Sequence, residues 1–177
     1  SPSIHGIFPR GAVELVEFFQ EKCHAEWLAE LSAMDTSNLS YSNLLSKILF
    51  MRLLKLAPYI SSWPQAMAIL SFPSNLPGAV ATLARTSDVA CVQAGDGRVD
   101  ASWFSQRIAV GGLYIGGEFY MLTDYSEDFK ETEEFIRRQI VEMHSAGSSV
   151  QFALKQVETL MYQALENIQA HKNANRP

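Results

Sequence analysis

Apolar residues recur at three- and four-residue spacing along most of this chain, and breaks in that phase predict about seven helices. Val13, Val16, Phe19, Cys23, Trp27 and Leu31 form the first stripe, after Gly11 stops a short leading segment. Ser40 or Ser42 caps the next helix, whose run "LLSKILFMRLLKLA" interleaves Lys47, Arg52 and Lys55 with a broad apolar face. Pro64 suits a first helical turn, so Trp63 to Ser71 reads as a short helix. Pro77 opens another that reaches about Gln93 and is ended by "AGDGR". Asp100 or Ser102 caps a long helix to about Tyr120, and Glu127 to His144 forms one with a charged outer face. Beyond the break at "SAGSS", Val150, Leu154, Val157, Met161, Ala164, Leu165 and Ile168 share one stripe, before a polar tail after His171. No alternating strand pattern, Asn-Gly hairpin or internal repeat interrupts this series, so the expected fold class is all-α.

One stretch stands apart. Leu56 to Ala84 holds 29 residues without a charged side chain, in a chain whose charged fraction is 19%. It is long enough to cross a bilayer, but Pro58, Pro64, Pro73 and Pro77 break it. Ser74 and Asn75 lie between the last two prolines, where hydrocarbon could not satisfy the freed backbone. The stretch therefore predicts two helices joined by a Pro-rich turn near Phe72 to Pro77, and no membrane span. A second oddity is Gly111-Gly112 followed by Gly116-Gly117 inside one helix. Interior glycines cost roughly 0.5–1 kcal/mol each against alanine, so either a neighbouring helix or a ligand comes close to this backbone.

Composition narrows the function. With 47% hydrophobic residues over 177 positions the chain is a folded domain with a sizeable core. A net charge of −5 argues against nucleic-acid binding, which needs positive charge to displace counterions from phosphate. Cys23 and Cys91 are far apart and belong to no C-x-x-C pair, which speaks against a disulfide framework or structural zinc. The chain begins at Ser1, as expected of a processed or truncated protein whose targeting segment is out of view. Catalytic signatures are missing: there is no G-x-S-x-G, P-loop, opening G-x-G-x-x-G or H-E-x-x-H. A di-iron carboxylate bundle needs two Glu-x-x-His pairs, and only Glu21–His24 occurs. His5, His24, His144 and His171 read as surface or boundary residues, and no metal, cofactor or catalytic residue is expected.

Several quoted segments resemble one family. "PYISSWPQAMAILSFPSNLP", "AGD" at 94–96, "DASWFSQR" at 100–107 and "GGEFYMLTDYSEDFKET" at 116–132 are similar, in order, to the ubiquinone-biosynthesis accessory proteins, the COQ protein numbered nine. "SPSIHGIFPRGAVELVEFF" resembles the segment that precedes them in that family. Cys91, Ser102, Phe104 and Glu134 depart from its usual residues, while Trp103 and Arg107 keep them.

The resemblance implies a TetR-like helical bundle. Residues 1–11 would be the remnant of a helix-turn-helix, 12–146 the lipid-binding helical domain, and 147–177 a linker, amphipathic C-terminal helix and tail. It also implies a protein that is not an enzyme. Such a protein holds an isoprenoid quinone or phospholipid and presents quinone intermediates to the di-iron demethoxyubiquinone hydroxylase. That partner belongs to the ubiquinone-biosynthesis complex, and the setting is the matrix side of the mitochondrial inner membrane. A homodimer is implied, and a C-terminal stripe that docks on lipid or a partner. The expected lipid cavity draws on Leu49, Leu53, Met67, Leu70, Ile108, Leu113, Tyr114 and Tyr120, with the double glycines leaving room for an isoprene chain. The expected partner surface joins Phe72, Pro73, Asn75 and Pro77 with Asp88, Trp103, Phe104 and Arg107 in one exposed patch. The competing reading is the effector-binding domain of a TetR-type transcriptional regulator.

Overall fold

The computed structural model describes residues 8–36, 39–97, 99 and 102–145, together with Lys155 and Glu158. Within them, six α-helices follow one another: α1 (Ala12–Ala33), α2 (Tyr41–Leu54), α3 (Trp63–Leu70), α4 (Leu76–Gln93), α5 (Ser102–Met121) and α6 (Lys130–Ser145). Single 3-10 turns at Ala57–Tyr59 and Glu127–Phe129 precede α3 and α6. No strand occurs among the described residues. The expected seventh helix from Val150 to Ile168 and most of the segment read as a helix-turn-helix remnant lie outside them.

Local chemistry sets the helix boundaries. Ser40 caps α2, its hydroxyl accepting from the Asn43 amide at 3.4 Å. Pro64 and Pro77 each stand in a first helical turn, where the missing N–H costs no intrahelical bond. Gly95, at φ 93°, turns the chain out of α4 in a conformation that favours glycine. The expected helix from Glu127 is divided, because Asp128 and Phe129 both take φ 56° and α6 starts only at Lys130. Buried Asp124 fixes this corner. One carboxylate oxygen accepts from the amide and hydroxyl of Ser126 (2.8 and 2.6 Å), the other from those of Thr132 (2.8 and 2.6 Å). Burial pushes the carboxyl up, but these four bonds outweigh it and hold Asp124 below the usual carboxylate range.

Helix α2 carries the centre of the core through Leu45, Ile48, Leu49 and Leu53, packed with Trp27, Leu113, Ile136 and Ile140. The Trp27 indole N–H donates to the Ile48 carbonyl at 3.0 Å, which ties α1 to α2. Helix α5 is buried over most of its circumference, from Gln106 to Met121, and packs on α4, α6 and α2. Its glycines explain how. A Cβ on Gly111 would stand 2.9 Å from the Ser87 hydroxyl of α4, and one on Gly117 would stand 2.7 Å from Leu53 Cδ1 of α2, with Ile136 of α6 behind. At these two positions the missing side chain admits neighbouring helices, not the isoprene chain expected from the sequence. The correction follows from packing density: a helix packed on three sides can come close to its neighbours only where its own surface is flat.

Gly117→Val should therefore lower stability by about 2–3 kcal/mol through overpacking against Leu53 and Ile136. Urea denaturation followed by far-UV circular dichroism checks this, and an unchanged midpoint would show that the contact yields freely.

Candidate functional site

A cavity of about 430 Å³ opens between α3, α4 and α5. Met67 and Leu70 of α3, Leu76, Ala79, Val80 and Leu83 of α4, Ile115 and Phe119 of α5, and Leu122 just beyond it give it mostly apolar walls. More than half of its lining comes from the uncharged stretch Leu56 to Ala84. That stretch is uncharged because its two helices wall a cavity; the prolines fold it back so that α3 and α4 face the same space. Leu76 and Val80 line the cavity while remaining about half exposed, so the rim is apolar as well.

The far wall is different. Arg52 of α2 and Tyr114 and Glu118 of α5 also line the cavity, and Tyr114 and Glu118 stand one turn apart on the same helix face. Arg52 is 2% exposed and Tyr114 5%, and the Arg52 guanidinium lies 5.9 Å from the centre of the Tyr114 ring. Arg52 Nε and Nη1 make no hydrogen bond with another protein group, while the Tyr114 hydroxyl and the Trp63 indole N–H both face the Glu118 carboxyl. Burial raises the Glu118 carboxyl to about 7; the nearby Tyr114 hydroxyl, the Arg52 charge and the Trp63 N–H pull it down only in part. Burial also pushes the Tyr114 phenol well up, so it remains a proton donor at neutral pH.

Of the eight residues expected to line a lipid cavity, the structure brings Met67, Leu70 and Tyr114 to it. Leu49, Leu53 and Leu113 are instead sealed in the core, because α2 and α5 bury the faces that carry them against other helices. Ile108 faces outward, and Tyr120 stacks on Phe135 of α6 at 4.5 Å, on the other side of α5. The sequence reading missed Arg52 and Glu118. Arg52 was read only as a charge interleaved with the apolar face of α2, a helix that the fold buries nearly all round. Glu118 is the one charged residue between Ile108 and Thr123, and that isolation was the available signal.

The expected partner patch separates into two regions. Phe72, Pro73, Asn75 and Pro77 form the turn before α4, where Asn75 Nδ2 donates to the Ile69 carbonyl at 2.8 Å. Asp88 lies twelve residues beyond Leu76, roughly 18 Å along the α4 axis. There Arg107 is not a free anchor but a buried staple. Its Nε donates to Asp88 Oδ1 (2.6 Å), its Nη1 to Asp96 Oδ2 (3.1 Å) and the Trp103 carbonyl (3.3 Å), and its guanidinium stacks on the Trp103 ring at 4.0 Å. Trp103 is half-buried by this contact, which leaves Phe104, 68% exposed, and Ile108 as the outward pair. The single Glu-x-x-His pair is also accounted for, since Glu21 is ion-paired with Arg85. His24, expected near the surface, is buried beside Trp27, and burial lowers its pKa. Among the described residues no cluster of three acidic, His or Cys side chains suits a metal ion, and no helix is long and apolar enough to cross a membrane.

The crystal structure of the TetR transcriptional regulator from Nitrosomonas europaea superposes with a TM-score of 0.62 at 19% identity, over 73% of this chain and 71% of that one, which shows a shared fold. Sequence comparison is more specific. Residues 76–147 match the COQ9 family model. The mitochondrial ubiquinone biosynthesis protein COQ9 of Drosophila melanogaster is 30% identical over 163 residues, 90% of this chain and 49% of that protein. That of Xenopus tropicalis is 34% identical over 157 residues (85% and 50%), and that of Schizosaccharomyces pombe 29% over 134 (76% and 53%). This chain is a homologue of the COQ9 proteins, and it spans about half the length of these relatives.

Two outcomes test the site's electrostatics. Arg107→Ala should cost about 3 kcal/mol, because it removes the cation that bridges Asp88 and the buried Asp96 carboxylate; retention of full stability on thermal melting would return Arg107 to the surface. Glu118 binds its proton more tightly folded than unfolded, so its stabilising effect is complete below about 4.5 and is lost as pH rises through about 7. Denaturant midpoints of the wild type should accordingly fall relative to Glu118→Gln between those values, whereas parallel pH profiles would place Glu118 in water.

Proposed function

We propose that this chain is the lipid-binding part of a non-enzymatic accessory protein of ubiquinone biosynthesis. It holds an isoprenoid quinone intermediate and presents it to the di-iron demethoxyubiquinone hydroxylase. The observation that carries this reading is the apolar cavity between α3, α4 and α5, whose size falls in the range of small-molecule sites. Each Å² of tail surface taken from water contributes about 25 cal/mol, so a single isoprenoid tail supplies the greater part of the binding energy. The names of the homologues supply the pathway and the mitochondrion. Action at the matrix face of the inner membrane fits the apolar rim at Leu76 and Val80, beside the exposed Phe72. Such a rim gains free energy when a bilayer or a partner covers it. The protein itself needs no cofactor, works as a homodimer, and leaves the chemistry to the iron enzyme. A transcriptional regulator's effector domain would place its ligand in the same cavity; the relatives' names and the net charge of −5 favour the quinone reading.

Native mass spectrometry of protein purified without detergent should find an apolar-tailed lipid bound to the wild type. Ala79→Trp fills the cavity from α4 and should reduce that occupancy at least about tenfold with the helical spectrum unchanged. Lipid-free wild type, or undiminished lipid in the variant, would count against the cavity as the binding site.

A further inference from the structure

Among the described residues, a single carboxyl group borders the apolar cavity. Glu118 lines it beside Leu83 and Phe119 and is only partly covered by protein, so its hydration comes from the space that a ligand would take. A carboxylate in such a place is usually clamped by a cation, as Asp88 and Asp96 are by Arg107. Glu118 has no such clamp: Arg52 Nε and Nη1 donate to no protein acceptor, which rules out a forked ion pair. Its charge therefore depends on water, on the field of Arg52, and on the Tyr114 hydroxyl and Trp63 indole N–H that face it. We infer that Glu118 takes up a proton when an apolar tail fills the cavity, so that ligand binding there tightens as pH falls.

The inference rests on the reading of this cavity as a lipid site and adds a control on its occupancy. An apolar chain that displaces water from beside a carboxylate disfavours the charged form. The Tyr114 hydroxyl, the Arg52 charge and the Trp63 N–H all favour that form, yet burial outweighs them while the carboxyl still borders open space. A bound tail removes the remaining hydration and so adds to the larger side of the balance. Arg52 keeps its charge throughout the neutral range, and the Tyr114 phenol keeps its proton, so Glu118 is the group that responds. Among the described residues no further ionisable group lines the cavity; α1 contributes Gln20, α4 contributes Thr82 and Thr86, and the residues of α3 are uncharged. Behind Arg52, burial raises the Cys23 thiol and lowers the His24 imidazole, which leaves both neutral at about pH 7. Loading is thus favoured at lower pH and release at higher pH.

Isothermal titration of the full chain with farnesol tests this, because an isoprenoid alcohol does not titrate and every proton exchanged belongs to the protein. Titrations at one pH in phosphate and in Tris, whose ionisation enthalpies differ, count the protons taken up. If binding raises the Glu118 pKa from about 7 to about 8, wild type gains about half a proton at about pH 7.5. It then binds about fivefold more tightly at about pH 6 than at about pH 8. Glu118→Gln should lose both the proton uptake and the pH dependence. Should that variant not fold, Tyr114→Phe removes a hydroxyl that favours the carboxylate, and the midpoint of the affinity profile should move to higher pH. Farnesol bound without proton uptake, bound more tightly at higher pH, or bound by Glu118→Gln with undiminished pH dependence overturns the inference and leaves the cavity reading intact, as does an unmoved midpoint in Tyr114→Phe. Failure of the wild type to bind farnesol at any pH overturns the cavity reading and this inference with it.

Discussion

The enclosure of α5 by α2, α4 and α6 is the constraint on which the rest of the structure depends. A helix surrounded on three sides can carry charge only where the charge is paired or borders a cavity, and it can come close to its neighbours only where its surface is flat. Both conditions are visible in its residues. Arg107 is paired with Asp88 and Asp96, Glu118 borders the cavity, and Gly111 and Gly117 lie where α4 and α2 come within Cβ distance. With α5 held in this way, its face from Tyr114 to Phe119 can form one wall of the cavity.

Those other walls are α3 and the first half of α4, and their mixed exposure has functional meaning. Prolines at the start of each helix keep both short of a continuous span and turn them toward the same space. Their residues are uncharged on every side because some line the cavity and others form its rim. An ordinary surface helix has one apolar face; these have two. This is the arrangement expected of a binding site that must also be reached from an apolar surface.

The two buried arginines show how similar sequence features part company in the fold. Arg107 closes the α4–α5 corner through two carboxylates, a carbonyl and an aromatic face, so its chemistry is complete within the protein. Arg52 lies against the Tyr114 ring and near Glu118, and its unpaired Nε and Nη1 adjoin the cavity. The first residue had seemed suited to a partner and proved structural; the second was read only as a charge interleaved with an apolar face, and it borders the site. Burial on its own does not separate these cases. The hydrogen-bond partners do.

The sequence by itself determined the helices and most of their ends, since spacing, proline position and a capping serine act within a few residues of one another. It also determined that Leu56 to Ala84 is not a span, and its family resemblance reached the COQ9 proteins. Met67, Leu70 and Tyr114 were legible as cavity residues from their place in apolar stretches. What only the tertiary structure decided is which side of each helix meets which neighbour. Leu49, Leu53 and Leu113 have the same chemistry as Leu70, but helices distant in sequence cover them. For the same reason, Asp88 and Asp96 capture Arg107, α6 takes Tyr120 through Phe135, and Arg52 is buried against Tyr114 at the cavity wall. Apolar periodicity specifies that a face is buried; the partner that buries it is chosen by the packing of the whole bundle.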